Sequence, residues 1–309
     1  MKQNSQPTSH NKSLSILIPT YNDVCVDLVS ALSGQASSVD GLEYEILVAD
    51  DGSTDKHCVE HNRAISRLPN CRYIERTMNV GRACIRNFLA REARFEKLLF
   101  IDSHMSVISP DYLKNYLLCY EHLLAYGGYT IDTDNPQPGS LRYMYEKSCI
   151  ASQDYRKRRE QPYNNFHTSN FMISREVMLR YPLDERFRHY GYEDVLYGKT
   201  LKSAGIPIVH IDNALGFSRF ESNKRFLEKT LEGLRTLYIF RQELSGYSRL
   251  LDLSGKFGRW KLSWLVRVIY LIIGGAVRRN LTGSHPSVLL FKVFRLGEYE
   301  RISRQTDNQ

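Results

Sequence analysis

Short apolar runs alternate with amphipathic stretches over the first hundred residues. Four of these runs have the length of buried strands, and three of the four end in polar or acidic loops, PTYN, DDGSTD and DSH. The predicted strands span residues 14–19, 44–49, 71–76 and 97–102, with predicted helices over 24–36 and 80–94. Because such alternation requires crossover connections, the pattern predicts an α/β fold with a mostly parallel, Rossmann-like sheet flanked by helices. In such sheets, ligands bind beyond the carboxyl ends of the strands.

The rest of the chain has a looser pattern. A helix is predicted over residues 111–125, and residues 127–165, rich in Gly, Pro, Asp and Tyr, predict loops and short strands, such as a substrate lid. Helical spacing returns at residues 195–204 and 226–241, on either side of a predicted strand at 207–212. The polar N-terminus lacks the apolar segment of a signal peptide and predicts a flexible tail over residues 1–12. The α/β domain is then expected to span residues 13–242, followed by a basic helical extension over residues 243–309.

Composition is that of a globular protein whose charge is unevenly placed. The 309 residues are 42% hydrophobic and include 20 Tyr and 13 Phe, which suffices for a buried core and excludes bulk disorder. The six cysteines form no CxxC pair, which favours reduced thiols. The net charge of +8 belongs to residues 223–309, because they hold 16 Lys and Arg against 7 Asp and Glu. These basic residues are not interleaved with a nucleic-acid-binding motif, so no nucleic-acid partner is expected.

Carboxylates follow two of the predicted strands. After the second strand, Asp50 or Asp51 is placed to accept hydrogen bonds from a ribose or base, although an ordinary turn would also use these residues. After the fourth strand, Asp102 and His104 lie on the same side of an extended backbone, where they could share one divalent cation. Mixed oxygen and nitrogen ligation suits Mn²⁺ better than Mg²⁺, and such a cation neutralises a diphosphate leaving group. A three-residue pattern also occurs by chance, so the metal site is a hypothesis.

Glycine and arginine follow the third predicted strand. Gly81 allows close backbone approach at a helix start, where free amides favour anions. Arg82 and Arg86 share one helix face, from which both could reach a phosphate. An ordinary solvated helix would show the same pattern.

The segment from His189 to Asp194 combines aromatic and acidic residues. Tyr190 and Tyr192 make a plausible sugar platform, and Glu193 and Asp194 follow as candidate general bases. A positioned carboxylate that deprotonates an acceptor hydroxyl contributes about 10²–10⁴-fold to the rate. Two carboxylates also suit the first turn of a helix, so this simpler interpretation stays open.

In their order along the chain, the segments LSILIPTYN, VADDGSTD, NVGRACIRN, LLFIDSH and GYEDVLYG resemble the motifs of family-2 glycosyltransferases of the GT-A fold. The resemblance covers residues 14–237. It implies a hexosyl- or N-acetylhexosaminyltransferase of the bacterial polysaccharide type, acting with inversion on a UDP-linked donor and a saccharide or lipid-linked acceptor. It further implies a cytoplasmic enzyme, on the inner face of the plasma membrane, that builds a surface polysaccharide or glycolipid.

Carried over position by position, the resemblance implies roles for single residues. Asp194 is the expected base, and Glu193 assists it or binds the acceptor together with His189, Tyr190 and Tyr192. A cation, Mn²⁺ or Mg²⁺, is expected at Asp102 and His104. The nucleotide sugar is expected at Pro19, Thr20, Tyr21, Asn22, Asp50, Asp51, Asn79, Gly81, Arg82, Arg86, Asp102 and Ser103.

Two positions depart from the family pattern. The usual D-x-D is D-S-H here, a triplet that resembles the metal motif of polypeptide N-acetylgalactosaminyltransferases. Many family members also place a metal-binding His after the last strand, where this chain has Phe217. The nearby His210 is expected to be a packed core residue, so weak metal affinity is expected.

Residues 262–277 form an apolar segment with basic flanks. A spanning helix needs about 20 apolar residues, and Arg267 would cost about 2.5–3.5 kcal/mol in mid-bilayer, so no span is expected. The flanking Lys256, Arg259, Lys261, Arg278 and Arg279 favour a helix that lies in a membrane interface through residues 256–279. A buried helix that closes the α/β domain, or a contact in a homo-oligomer, is an equally good interpretation.

Two functions other than sugar transfer would use a similar sheet. A nucleotidyltransferase would carry a Gly-rich, Lys-containing phosphate loop after the first strand, and PTYND has neither feature. A non-catalytic nucleotide- or partner-binding module on the same fold stays open, because of the altered DSH triplet and Phe217.

Overall fold

The computed structural model describes residues 12–307. The strands are β1 (Ser13–Thr20), β2 (Glu43–Asp50), β3 (Cys71–Glu75), β4 (Lys97–Ile101), β5 (Met105–Ser106), β6 (Leu124–Tyr126), β7 (Tyr129–Ile131), β8 (Asn170–Ser174), β9 (Val209–His210) and β10 (Leu215–Phe217). The α-helices are α1 (Val26–Ser37), α2 (Lys56–Asn62), α3 (Arg82–Glu92), α4 (Tyr112–Leu118), α5 (Leu141–Cys149), α6 (Tyr155–Arg158), α7 (Arg175–Arg180), α8 (Glu193–Ser203), α9 (Asn223–Ile239), α10 (Arg249–Arg259), α11 (Ser263–Thr282) and α12 (Val288–Asp307). Short 3₁₀ helices lie at Arg63–Arg67 and Ile150–Ser152.

A seven-stranded sheet in the order β3-β2-β1-β4-β8-β6-β9 organises the chain. The pairs β3-β2, β2-β1, β1-β4 and β6-β9 are parallel, and β8 runs antiparallel to both β4 and β6. The strands β5, β10 and β7 form a second, smaller sheet. The predicted α/β fold with a mostly parallel sheet and flanking helices is therefore confirmed.

The main sheet is buried on both faces, as crossover connections require. Along β1, Ile16 and Ile18 pack into one apolar cluster with residues of α1 and α4, whereas Leu17 packs into another with residues of α3 and α8. The alternation follows from the two-residue period of a strand. Because both faces are covered, polar side chains reach solvent mainly at the strand ends, where the sequence places its acidic loops.

Three predicted elements differ from the structure. The helix predicted over residues 111–125 ends at Leu118, and Leu124 enters the sheet as part of β6, opposite Ile173. The strand predicted at 207–212 shrinks to β9. The loops predicted over 127–165 contain helices α5 and α6 in addition to strand β7, and the side chain of Ser140 caps α5. The changes at β6 and β9 depend on strand pairing with residues distant in sequence, which local periodicity does not encode, whereas the cap of α5 is a local contact.

The predicted N-terminal tail falls largely outside the described residues, which begin at Lys12. The Lys12 side chain donates to the carbonyl of Leu117, 2.7 Å away, so this last residue of the predicted tail is anchored. The predicted division at residue 242 stays a prediction. Phe226 of α9 and Phe291 of α12 lie on either side of it and belong to one apolar cluster. Helices α10 to α12 therefore continue the packing of the α/β part.

Helices α10 and α11 carry the apolar, basic segment. Within residues 12–307, no single helix has the length and apolar character to cross a membrane. Helices α10 and α11 together have the required length and apolar character, but the chain bends by 114° at the break between them. Arg267 faces inward, where its guanidinium lies 3.7 Å from the buried carboxylate of Glu300 on α12. The outward face of α11 is therefore free of this charge.

Candidate functional site

A cleft of about 1520 Å³ opens beyond the carboxyl ends of β1, β2 and β4. Of the residues predicted to form the site, all except Asp50 line this cleft. The predicted residues that line it are Pro19, Thr20, Tyr21, Asn22, Asp51, Asn79, Gly81, Arg82, Arg86, Asp102, Ser103, His104, His189, Tyr190, Tyr192, Glu193 and Asp194. The sheet thus gathers five separate sequence segments at one edge.

The two adjacent aspartates after β2 have different surroundings. The carboxylate of Asp50 accepts hydrogen bonds from the Ser53 amide and the Tyr73 hydroxyl, both at 2.6 Å, away from the cleft. The carboxylate of Asp51 accepts from the amides of Val80 and Gly81 at 3.1 and 2.9 Å. Burial raises the pKa of Asp51, and these two hydrogen bonds offset part of that rise. Asp50 thus supports the turn, and Asp51 holds the loop that precedes α3, while a role of either carboxylate at the ligand stays a prediction.

Gly81 is required by the backbone at the start of α3. Its φ of +94° lies in the region that favours glycine. An added Cβ would come within 2.8 Å of the carbonyl oxygen of Arg188, so glycine also allows two loops to touch. One of these loops carries the predicted nucleotide residues, and the other leads into the predicted acceptor residues.

Arg86 holds Asp102 in place through a buried ion pair. The guanidinium of Arg86 is 2% exposed and contacts Oδ1 of Asp102, and a second nitrogen donates to the carbonyl of Arg82 at 3.1 Å. Burial alone would raise the pKa of Asp102, but Arg86 and Arg82 outweigh it and bring this pKa below its ordinary value. Asp102 is therefore ionised at neutral pH, and Arg86 positions it from inside the protein.

The predicted cation site combines the carboxylate of Asp102 with the imidazole of His104. Burial lowers the pKa of His104, so its imidazole is neutral and keeps a lone pair that can bind a metal. The His104 ring packs edge-on against Phe217, with centroids 5.2 Å apart. Among the described residues, only Asp55, His57 and Cys58 bring three potential ligand atoms together, and they lie at the start of α2. The ionised Asp102 and the neutral His104 could therefore serve as an oxygen and a nitrogen ligand of a divalent cation.

Two charged pairs in the cleft were missed by sequence reasoning. Asp23 accepts a hydrogen bond from the Ser103 hydroxyl at 2.7 Å and pairs with Arg219 at 2.9 Å. Arg142 of α5 pairs with Glu146 at 2.7 Å, and its guanidinium lies 5.2 Å from the ring centroid of Phe217. The only local signal for Asp23 is its position directly after PTYN. Arg142 lies in the region that was predicted as loops.

The predicted acceptor loop has a strained backbone that two helices hold. Tyr192 has a φ of +70°, which is uncommon for a non-glycine residue. The backbone of Tyr190 accepts from Thr236 and donates to Glu232, both on α9 and both at 3.1 Å. A guanidinium nitrogen of Arg295 on α12 lies 3.5 Å from the Tyr192 hydroxyl. The C-terminal helices therefore help to form the wall of the cleft.

The predicted base, Asp194, lies in the first turn of α8 and contacts a histidine. Its Oδ2 is 2.7 Å from Nδ1 of His167, and its Oδ1 accepts from the Val195 amide at 2.8 Å. The neighbouring Glu193 is 4% exposed, with Oε1 3.4 Å from Arg82. Sequence reasoning missed His167, although it lines the cleft beside Asp194.

Comparison with known proteins gives the family and the fold. Residues 15–181 match the model of glycosyl transferase family 2. The chain is 25% identical over 239 residues to chondroitin synthase of Escherichia coli, a match that covers 66% of this chain and 34% of that protein. The chain matches about half the length, or less, of the first curated relatives.

Two solved structures resemble the whole chain. A mannosyltransferase of Pyrobaculum calidifontis, PcManGT, solved with GDP-Man and Mn²⁺, superposes with a TM-score of 0.61 at 13% identity, covering 97% of this chain and 88% of that one. Residues 1–349 of S. aureus TarS, solved with UDP, give 0.51 at 17% identity, covering 96% and 91%. At these identities the likeness shows the fold alone. Because the family model covers more than half of the residues, the chain belongs to glycosyl transferase family 2, and its architecture is the GT-A fold.

Proposed function

We propose that this protein transfers a sugar from a nucleotide-diphosphate donor, UDP-linked, to a hydroxyl of a saccharide or lipid-linked acceptor, with inversion, in the synthesis of a cell-surface polysaccharide or glycolipid. The observation that carries the proposal is the single cleft that joins the loops after β1, β2 and β4 to the acceptor loop and Asp194. Support comes from TarS, which was solved with UDP and with UDP-GlcNAc, and from the chondroitin synthase relative.

The chemistry requires a base on one side of the sugar and charge compensation on the other. The acceptor oxygen forms a bond to the anomeric carbon, and its proton passes to the basic pair formed by Asp194 and His167. The bond from that carbon to the diphosphate breaks, and its electron pair leaves with the diphosphate. Glu193, held by Arg82, is the second carboxylate beside the acceptor.

Asp102 and His104 are the proposed ligands of a divalent cation, for which we propose Mn²⁺ because the two donors are an oxygen and a nitrogen. The cation would compensate the negative charge of the diphosphate as a Lewis acid. Arg86 keeps Asp102 ionised and oriented. PcManGT, a protein of the same fold, was solved with Mn²⁺.

A donor panel tests the proposed function. The protein is incubated with UDP-GlcNAc, UDP-glucose, UDP-glucuronate and GDP-mannose, with water and short glycosides as acceptors, and with either Mn²⁺ or a chelator. We expect nucleotide release from at least one donor and a loss of about 10²–10⁴-fold in Asp194→Asn with unchanged UDP affinity. The exposed Asp134→Asn is the control. UDP binding without release from any donor, with or without Mn²⁺, would instead support a non-catalytic nucleotide-binding module.

We further propose that the α10–α11 corner rests on the anionic cytoplasmic face of the plasma membrane. Its outward side exposes large apolar residues, among them Trp260 (66% exposed), Leu271 (84%) and Ile272 (77%). The exposed Lys256 and Arg259 lie on the same corner and form no ion pair with another described residue. Apolar residues beside free cations are the composition of an interfacial helix.

Vesicle co-sedimentation tests this membrane contact. Burying one leucine side chain contributes about 1.5–3 kcal/mol, so Leu271→Glu is expected to weaken binding to anionic phosphatidylglycerol vesicles by about tenfold or more. Leu118→Glu is the matched control, because Leu118 is 83% exposed on a different helix. Lys256→Glu should weaken binding less, and high salt should remove that difference. Unchanged partitioning of Leu271→Glu, together with loss of a dimer in light scattering, would assign this face to a homo-oligomer contact.

A further inference from the structure

His167 and Asp194 form a hydrogen-bonded pair in which the two side chains differ in accessibility and in their other contacts. His167 lies just before β8, and Asp194 lies in α8, so the fold brings together two residues 27 positions apart. Both oxygens of Asp194 are engaged, one by the imidazole Nδ1 at 2.7 Å and one by the Val195 amide at 2.8 Å. The imidazole is the more accessible partner, with 36% of its side chain exposed against 22% for Asp194.

The contact with Asp194 determines which nitrogen of His167 carries the proton. An ionised carboxylate only accepts hydrogen bonds, so Nδ1 must donate. In the neutral imidazole the lone pair then lies on Nε2. The ring edges of Tyr126 and Tyr129 pack against His167 with centroids 6.4 and 6.1 Å away, which limits rotation of the ring. The ring lines the same cleft as the acceptor loop.

We propose that Nε2 of His167 is the atom that takes the proton of the acceptor hydroxyl, while Asp194 holds the imidazole in the required tautomer and balances its charge. The assignment rests on the proposed function and names the base within it. The O–H bond of the acceptor breaks toward Nε2, and the oxygen lone pair forms the new bond to the anomeric carbon. The bond from that carbon to the diphosphate breaks with its electron pair, and the imidazolium later releases its proton to water.

The charges around the pair favour His167 as the proton acceptor and Asp194 as the residue that orients it. Burial lowers the pKa of His167, but the hydrogen bond and charge of Asp194 outweigh it, so this pKa lies above the ordinary histidine value. Burial would raise the pKa of Asp194, yet His167 brings that pKa below the ordinary aspartate value. The imidazole is thus the stronger base of the two. The other titratable or charged groups that face it are Glu146 of α5, Arg158 of α6, Tyr126 of β6, Tyr129 of β7 and His210 of β9.

The pH dependence follows from the sign of the shift. Proton transfer needs neutral His167, so the rate is lost as the pH falls through its raised pKa. We expect the acidic limb of kcat/KM above the ordinary histidine value of about 6.5. If Asp194 were the base, that limb would lie near the ordinary carboxylate range or below it.

The variant His167→Asn distinguishes a role of His167 as proton acceptor from a role in packing alone. The asparagine side-chain nitrogen occupies the place of Nδ1 and still donates to Asp194, but the variant has no basic atom. In the donor-release assay we expect a loss of about 10²–10⁴-fold in kcat with UDP affinity unchanged within twofold. His122→Asn, at an exposed position outside the cleft, is the matched control. A rate within threefold of wild type and an unmoved acidic limb would overturn the proposal, leaving Asp194 as the base. A wild-type protein that turns over no donor would instead refute the proposed function.

A second measurement is independent of turnover. Nitrogen-15 NMR of labelled histidines identifies the His167 signals by their loss in His167→Asn. We expect the tautomer with the proton on Nδ1, a pKa above about 6.5, and a lower pKa in Asp194→Asn. A proton on Nε2, or a pKa that Asp194→Asn leaves unchanged, would overturn the assignment whatever the donor assay shows.

Discussion

The buried ion pair between Arg86 and Asp102 allows a quantitative prediction about stability. Arg86→Met removes the guanidinium and leaves the Asp102 carboxylate, whose side chain is 11% exposed, without its main partner. Breaking a buried pair in this way costs about 3–5 kcal/mol, and we expect the lower end because Arg82 also faces the carboxylate. At roughly 2–4 °C per kcal/mol for a large domain, Tm should fall by about 6–12 °C.

Urea unfolding of the apo protein in chelator, followed by circular dichroism, measures this cost. The double variant Arg86→Met/Asp102→Leu removes both charges, so it should recover at least about 2 kcal/mol relative to Arg86→Met. A double variant no more stable than the single one would refute the reasoning, because the penalty would then not arise from an unpaired carboxylate. A loss of unfolding free energy below about 1 kcal/mol in Arg86→Met would also refute the reasoning.

The pH dependence of the same pair has a defined sign. In the wild type, the pKa of Asp102 is depressed, so its contribution to stability is present above the unfolded value of about 3.9 and is lost as the pH falls through the lower folded value. In Arg86→Met, burial dominates and raises this pKa, so acid protonates the carboxyl and relieves the penalty. The stability difference between the two proteins should therefore narrow between pH 7 and pH 4.

Three glycine and tyrosine variants test other contacts. Gly81→Ala should weaken UDP binding by about tenfold or more in calorimetry, because the loop must move, whereas Gly205→Ala, also at positive φ but with open space around it, should not. Tyr73→Phe removes the hydroxyl that supports a buried aspartate, and we expect about 1–3 kcal/mol of destabilisation in urea with UDP affinity changed less than twofold. Gly297→Ala would place a Cβ 2.2 Å from a tyrosine ring of α11 and should cost about 1–3 kcal/mol, and Gly275→Ala, with nothing within 4 Å, should not destabilise.

Much of the sheet and of the nucleotide side of the cleft could be predicted because their signals are local. The apolar runs of β1, β2 and β4 each end in the loop that carries the chemistry, and a parallel arrangement then brings those loops together. The different surroundings of Asp50 and Asp51 also have a local cause. Adjacent residues leaving a strand point to opposite sides, so only one of Asp50 and Asp51 could face the cleft.

The features that sequence reasoning missed depend on contacts across the fold. His167 has no local motif, and its importance comes from Asp194, which a separate helix brings within 2.7 Å. Asp23 gains its role from Ser103 and Arg219, which lie far along the chain. The helix predicted over residues 111–125 ends at Leu118, and Leu124–Tyr126 form strand β6 instead, because strand pairing outweighs local helical periodicity.

The α/β part and the C-terminal helices both line the cleft, and this limits the positions at which the chain can be joined to a segment of a relative. Arg249 of α10 and Phe291 and Arg295 of α12 line the cleft together with the loops after β1 and β2. A chimera joined after residue 242 would keep the nucleotide loops and the acceptor loop of this chain and would take the α10 and α12 part of the cleft wall from another family member. Such a junction also cuts the apolar cluster that Phe226 shares with Phe291, so the exchanged segment must bring matching side chains at that seam. In any such chimera, the same exchanged helices would therefore alter both the lining of the cleft and the packing of the fold.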